Sequence, residues 1–139
     1  MAVKVFLDAN VLLDLILKRE QYHKSKEIIE HIIENKIQGF TTSSVVHITG
    51  YWVSKAYGTM KTKELLLTLL ADIRIIDISH ETALTALHSK INDIEDALQY
   101  YTAIHHKLDY FISLDKQLKK ESIPALPVFE PGEFIAQYF

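Results

Sequence analysis

Four carboxylates stand where they could act together. Asp8 follows the apolar run Val3–Leu7, and Asp115 follows Tyr110-Phe111-Ile112-Ser113. Asp93 and Asp96 open a helix-period stretch in which Ala97, Tyr101, Ile104 and Leu108 are spaced four, three and four, as one buried stripe requires. Acids after strands and acids at a helix start can meet at one edge of a sheet, where open α/β folds bind ligands. If Asp8, Asp96 and Asp115 converge, they cannot all stay ionised without compensation. Two unit charges about 4 Å apart repel by roughly 4 kcal/mol at an effective dielectric of about 20. Either protons are shared or a cation lies between them. Hard oxygen donors suit Mg²⁺ or Mn²⁺, ions that bind phosphate oxygens and keep several waters. Such an ion lowers the pKa of a bound water and neutralises charge developing on a phosphodiester. The chemistry expected of this set is metal-dependent phosphodiester hydrolysis.

Each acid also has a plainer use. Asp-x-x-Asp before a helical run is a capping arrangement favoured by the helix dipole, so Asp93 serves either as a cap or beside the metal. Asp96, one turn in, is not needed for that cap. Asp115 could cap the turn to Lys119. Asp8 or Asn10 could cap the helix that follows the first strand. Asn10 and Ser113 are neutral partners able to orient carboxylates or water, and Glu95, one position round from Asp96, is expected at the solvent side. Adjacent His105 and His106 point to different sides of a helix. His23, His80 and His88 lack ligand spacing, so a zinc site is not expected.

These residues need a scaffold of alternating strands and helices. Val3–Leu7 reads as a buried central strand, followed by a helix over Val11–Leu17 and a polar connection, Arg19–His23. A helix over Ser25–Lys36 carries Ile28, Ile29, Ile32 and Ile33 on one face. A strand Ile37–Thr42 comes next, with Ser43 or Ser44 as cap for a helix to Tyr57. Gly58-Thr59 breaks it. A further helix covers Lys61–Leu70 with Leu65, Leu66, Leu69 and Leu70 inward; it also offers an interface. Ile73–Ile78 is a third strand, and Ser79 caps a helix over Glu81–Lys90. Pro124, Pro127 and Pro131 punctuate an edge strand, Val128-Phe129, before a last helical turn at Glu133–Tyr138. This order predicts an α/β fold: a three-layer α/β/α sandwich with a mostly parallel sheet.

The whole chain narrows the function classes. At 139 residues it reads as one domain, 1–139, large enough to bury roughly two-thirds of its unfolded surface. Without cysteine it has no disulfide or thiolate metal site, which fits a reducing cytoplasm. No run of eighteen apolar residues suggests a membrane helix, and no charged leader precedes the first strand, so a cytoplasmic chain without a signal peptide is expected. The net charge of −3 argues against a broad electrostatic footprint for nucleic acid. Any nucleic-acid contact must be local or assisted by cations.

Three stretches together carry a family resemblance: Phe6-Leu7-Asp8-Ala9-Asn10-Val11-Leu12-Leu13-Asp14, then Asp93-Ile94-Glu95-Asp96-Ala97-Leu98-Gln99-Tyr100, then Phe111-Ile112-Ser113-Leu114-Asp115. With the ending Pro127-Val128-Phe129-Glu130-Pro131-Gly132-Glu133-Phe134, the chain resembles a PIN domain, the nuclease domain of toxin–antitoxin ribonucleases and of RNA-processing and decay enzymes. The resemblance implies that Asp8, Asp96 and Asp115 bind Mg²⁺ or Mn²⁺, with Asn10 and Ser113 nearby, and that the substrate is RNA. It implies two partners as well: a small antitoxin that plugs the cleft, and a second copy in a homodimer. The family commonly carries a glutamate in the helix after the second strand, and here His47 stands in that place. A neutral imidazole there can hold a water or an ion, or simply pack beside Tyr51 or Trp52. Lys116, Lys119 and Lys120 either touch phosphate or form a solvated face.

Other readings use the same acids. An aspartyl-nucleophile phosphatase wants a second Asp two residues after the first, where this chain has Asn10. A response-regulator receiver needs a mid-chain Asp, and Thr41 to Val53 offers none. The remaining rival is a PIN-like module that binds RNA or protein without cleaving, which His47 favours and the three aspartates oppose.

Overall fold

Five short apolar runs pair side by side into one sheet whose strands all point the same way. The computed structural model describes residues 2–139. The strands are β1 (Val3–Leu7), β2 (Ile37–Thr41), β3 (Ile73–Ile75), β4 (Tyr110–Ile112) and β5 (Val128–Phe129). Their order is β3-β2-β1-β4-β5, and every neighbouring pair is parallel. Val5, Phe6 and Leu7 of β1 are fully buried, as a central strand covered on both faces requires.

Among the described residues seven helices fill the connections and an eighth follows β5: α1 (Ala9–Ile16), α2 (Tyr22–Ile33), α3 (Ser43–Tyr57), α4 (Thr59–Leu70), α5 (His80–His88), α6 (Ile94–His105), α7 (Lys116–Glu121) and α8 (Pro131–Tyr138). With right-handed crossovers, the outward march from β1 to β3 sets α1 to α4 on one face, and the return to β4 and β5 sets α5 to α7 on the other. The packing agrees: α1 lies on α2 and α3, α3 on α4, α5 on α6, and α8 returns to α2. The expected α/β sandwich is borne out, with the sheet wholly rather than mostly parallel. Phe6 of β1 stacks on Phe111 of β4 at 4.6 Å between ring centroids, and Tyr100 of α6 tilts against Phe111 at 5.6 Å. These rings press α6, which carries Asp96, onto the two central strands.

Several boundaries differ from those expected. Thr42 rather than Ser43 or Ser44 caps α3, because Thr42 has the extended backbone of a cap and its hydroxyl accepts from Val45 N. The expected connection Arg19–His23 is partly helical, since α2 starts at Tyr22. β3 stops at Ile75, not Ile78, because β2 offers no partner beyond Thr41. Leu65, Leu66, Leu69 and Leu70 are half-buried, while Thr62 is the buried residue of α4.

Winding reverses between β1 and β4. The crevice at their carboxyl ends is thus the switch point at which this architecture receives ligands.

Candidate active site

The two turns that leave β1 and β4 are stitched together by side chains. Asp8 is the N-cap of α1: its backbone is extended and Oδ1 accepts from Ala9 N at 2.8 Å. Its Oδ2 accepts from Ser113 Oγ at 2.8 Å. The Ser113 hydroxyl in turn accepts from Asp115 N at 3.0 Å and from Asn10 Nδ2 at 3.1 Å. Asn10 closes the circuit, since its Oδ1 accepts from Leu114 N at 3.0 Å. Ser113 and Asp8 are buried and Asn10 half-buried, so the network fixes the Asp8 carboxylate from three sides.

The other two expected acids arrive as helix caps or one turn beyond. Asp115 caps α7, its Oδ1 accepting from Gln117 N at 2.9 Å and Leu118 N at 3.1 Å. Asp93 caps α6, its Oδ1 accepting from Asp96 N at 2.9 Å. The cap readings left open for Asp8, Asp93 and Asp115 therefore hold. A carboxylate oxygen that accepts one backbone N–H keeps a second lone pair, so the two uses are compatible. A further bond anchors α3 to this helix: Thr42 Oγ1 donates to Gln99 Oε1 at 2.5 Å, both residues being buried.

Electrostatics record how crowded the acids are. Burial pushes the Asp8 carboxyl up to about 6, the bonds from Ser113 and Ala9 pull it back, and the charges of Glu95 and Asp115 raise it again. Asp96 is driven further, to about 8. Burial is the main cause, followed by hydrogen bonding with Asp115 and the charges of Asp8, Asp115 and Asp93. Glu95 is raised by burial and by Asp93. Glu95 is exposed, as expected, yet its charge bears on Asp8, which a helical wheel alone did not reveal. Acids with raised proton affinity beside the carboxyl ends of two central strands mark a site candidate by physical argument.

Residues 4–117 match the family described as the PIN domain. The chain belongs to that family. Among curated proteins it is similar to "Ribonuclease VapC1" of Aquifex aeolicus (strain VF5), 29% identical over 136 residues that cover 91% of this chain and 92% of the relative. Its fold is similar to that of VapBC2 from Rickettsia felis, solved bound to a DNA fragment from its promoter, with a TM-score of 0.73, 19% identity and coverage of 92% and 98% of the two chains. It is likewise similar to a toxin-antitoxin complex from Klebsiella pneumoniae, with a TM-score of 0.66, 23% identity and coverage of 91% and 97%.

For a PIN domain, two side chains stand away from the acids. His47 is exposed on α3, in the groove between α3 and α4, and it is not among the groups acting on Asp8 or Asp96. Tyr51 lines the same groove. Lys119 is engaged by Glu133 of α8 and is not free to meet a phosphate, whereas Lys116 and Lys120 are exposed.

The donors fit a hard divalent cation in their chemistry: buried or half-buried carboxylates whose mutual repulsion asks for positive charge. As they stand, no three Asp, Glu or His side chains among the described residues form a group able to hold an ion. Asp8 has both oxygens engaged, Asp115 has Oδ1 on its helix, and Asp115 raises the proton affinity of Asp96.

Proposed function

We propose that this PIN domain is a metal-dependent endoribonuclease, acting as the toxin of a toxin–antitoxin pair in the cytoplasm and working as one domain over its 139 residues. The observation that carries the reading is the buried Asp8, held by Ser113 and Asn10 at the switch point, facing the Asp96–Asp115 pair. The ribonuclease named among its relatives and the toxin–antitoxin complex among its structural neighbours support the activity and the partner. No helix of the described residues is long and apolar enough to cross a membrane, in keeping with the location.

Asp8, Asp96 and Asp115 would hold Mg²⁺ or Mn²⁺, which when bound activates water and offsets charge on the phosphodiester. The protein's own residues do the rest. Ser113 and Asn10 keep the Asp8 carboxylate aimed and hydrogen-bonded in its charged form. Asp93 fixes the first turn of α6, and so the place of Asp96. The raised proton affinity of Asp96 must be overcome before it can act as an anionic donor, which sets a higher pH for activity than an ordinary carboxylate would.

A second reading, a binding module without catalysis, rests on the want of a grouped ligand set among the described residues and on His47 lying exposed in the groove between α3 and α4. Cleavage of a mixed RNA substrate with Mn²⁺, wild type beside Asp96→Asn, separates the two. The nuclease reading expects wild-type cleavage that chelator abolishes and that the variant loses by about 100-fold or more, as several kcal/mol of lost charge stabilisation implies. A wild type free of any co-purified inhibitor that cuts nothing at any Mn²⁺ concentration would establish the binding module instead.

A further inference from the structure

The net charge of −3 leaves a polyanionic substrate poorly attracted by the molecule as a whole, so any contact beyond the acids needs a local device. One is present on α3. Tyr51 and Trp52 are about half exposed, at 52% and 48%, and lie edge to face at 5.2 Å. Lys55 places its ammonium over both rings, 4.6 Å from the Tyr51 centroid and 5.6 Å from that of Trp52. Tyr51 and Lys55 also line a groove of about 520 Å³ between α3 and α4, joined there by His47 and Lys63. No lining residue is acidic, and among the described residues neither Lys55 nor Lys63 forms an ion pair, while Lys61 is taken by Glu64.

Exposed rings beside unneutralised cations are what single-stranded nucleic acid binds without sequence preference: bases stack on the rings and phosphates track the charge. The cap of α3, Thr42, is bonded to the helix that carries Asp96. From that cap to Tyr51 the helix rises about 14 Å at roughly 1.5 Å per residue, a reach of a few nucleotides.

We propose that Tyr51, Trp52 and Lys55, with Lys63 across the groove, form a base-stacking platform for single-stranded RNA flanking the segment held at the acids. The inference rests on the ribonuclease reading for its choice of polyanion. An acidic protein segment, or a second copy of this chain, would compete for the same face, but the paired rings under one cation match planar bases better than either.

Trp52 is the only tryptophan in the chain, so it reports on its own surface. In chelator, where nothing is cleaved, a short oligouridylate quenches Trp52 emission saturably. Tyr51→Ala weakens the apparent affinity about tenfold. Lys55→Gln lowers the slope of log affinity against log salt by about 0.7, the share of one phosphate contact on a single strand. Lys63→Gln does the same, and unchanged melting of each variant shows that folding is not the cause. The proposal is overturned if labelled oligouridylate binds without quenching, or if all three variants bind like wild type. It is also overturned if the variants convert a dimer to a monomer with RNA affinity intact, or if polyglutamate displaces the RNA at equal charge concentration. An inactive chain that still quenches would sink the nuclease reading alone, and an active one that does not quench would sink only this platform.

Discussion

Ser113 directs one hydroxyl proton to Asp8 and takes two hydrogen bonds, from Asp115 N and Asn10 Nδ2. Removing that hydroxyl leaves Asp8 Oδ2 with the 3.5 Å contact from Asn10 and nothing nearer. Losing a donor to the charged form raises an acid's proton affinity further, so Ser113→Ala moves Asp8 above its value of about 6. We expect Mn²⁺-dependent cleavage near neutral pH to fall about 10- to 100-fold, as for other residues that orient a metal's ligands. Raising the pH should recover part of the loss. Equal activity of variant and wild type across the pH profile would show that Asp8 needs no orienting hydroxyl. Ser113 and Asn10 were legible in the sequence as neutral residues beside acids. Their bond to each other was not, because it joins turns that follow strands far apart in the chain.

At the scale of elements, caps set the geometry of the site. Thr42 both caps α3 and donates to the buried Gln99 of α6. Thr42→Val deletes a cap, at about 1 kcal/mol, and strands a buried amide oxygen, at about 1 to 3 kcal/mol. We expect a loss of roughly 2 to 4 kcal/mol in denaturant unfolding, and weaker cleavage because α6 loses an anchor. A loss below about 0.5 kcal/mol would mean that water replaces both bonds. The strands were readable from their β-branched runs and the helices from their period, to within a few residues. What escaped was partner-dependent. Which of Thr42, Ser43 and Ser44 caps depends on a backbone angle, and where β3 stops depends on how far β2 extends. His47 likewise could be placed in α3 by its period, but the direction it faces is set by how α4 packs.

For the molecule as a whole, the acids make stability depend on pH in an unusual direction. An ordinary unfolded carboxyl titrates near 3.9, whereas folded Asp8 and Asp96 hold their protons to about 6 and about 8. The folded state thus binds more protons across that window, and stability falls as pH rises through it. The loss begins near pH 4 and is complete above the folded values, with about 3 kcal/mol from Asp8 alone. In chelator, denaturant midpoints should be lower at about pH 8 than at about pH 5, and Mn²⁺ should narrow the gap if the acids take up the ion. A midpoint that is flat or rises with pH would contradict the crowding of Asp8, Asp96 and Asp115. Crowding was foreseeable from three aspartates at one sheet edge, and so were the caps; the bonds from Ser113 and Ala9 that pull Asp8 back were not, since they depend on atoms within bonding distance.

The central place of β1 also bears on timing. Asp8 leaves the ribosome well before the hydroxyl that secures it, which belongs to Ser113, 105 residues later. Parallel pairing over such a span is slow to form and closes late, after the chain's other local contacts. β1 can join β2 while synthesis continues, but the β1–β4 seam needs Tyr110–Ile112. A nascent or prematurely ended chain therefore carries Asp8 without its counterpart acids. Whatever chemistry the finished edge performs begins only once Asp115 has joined the chain.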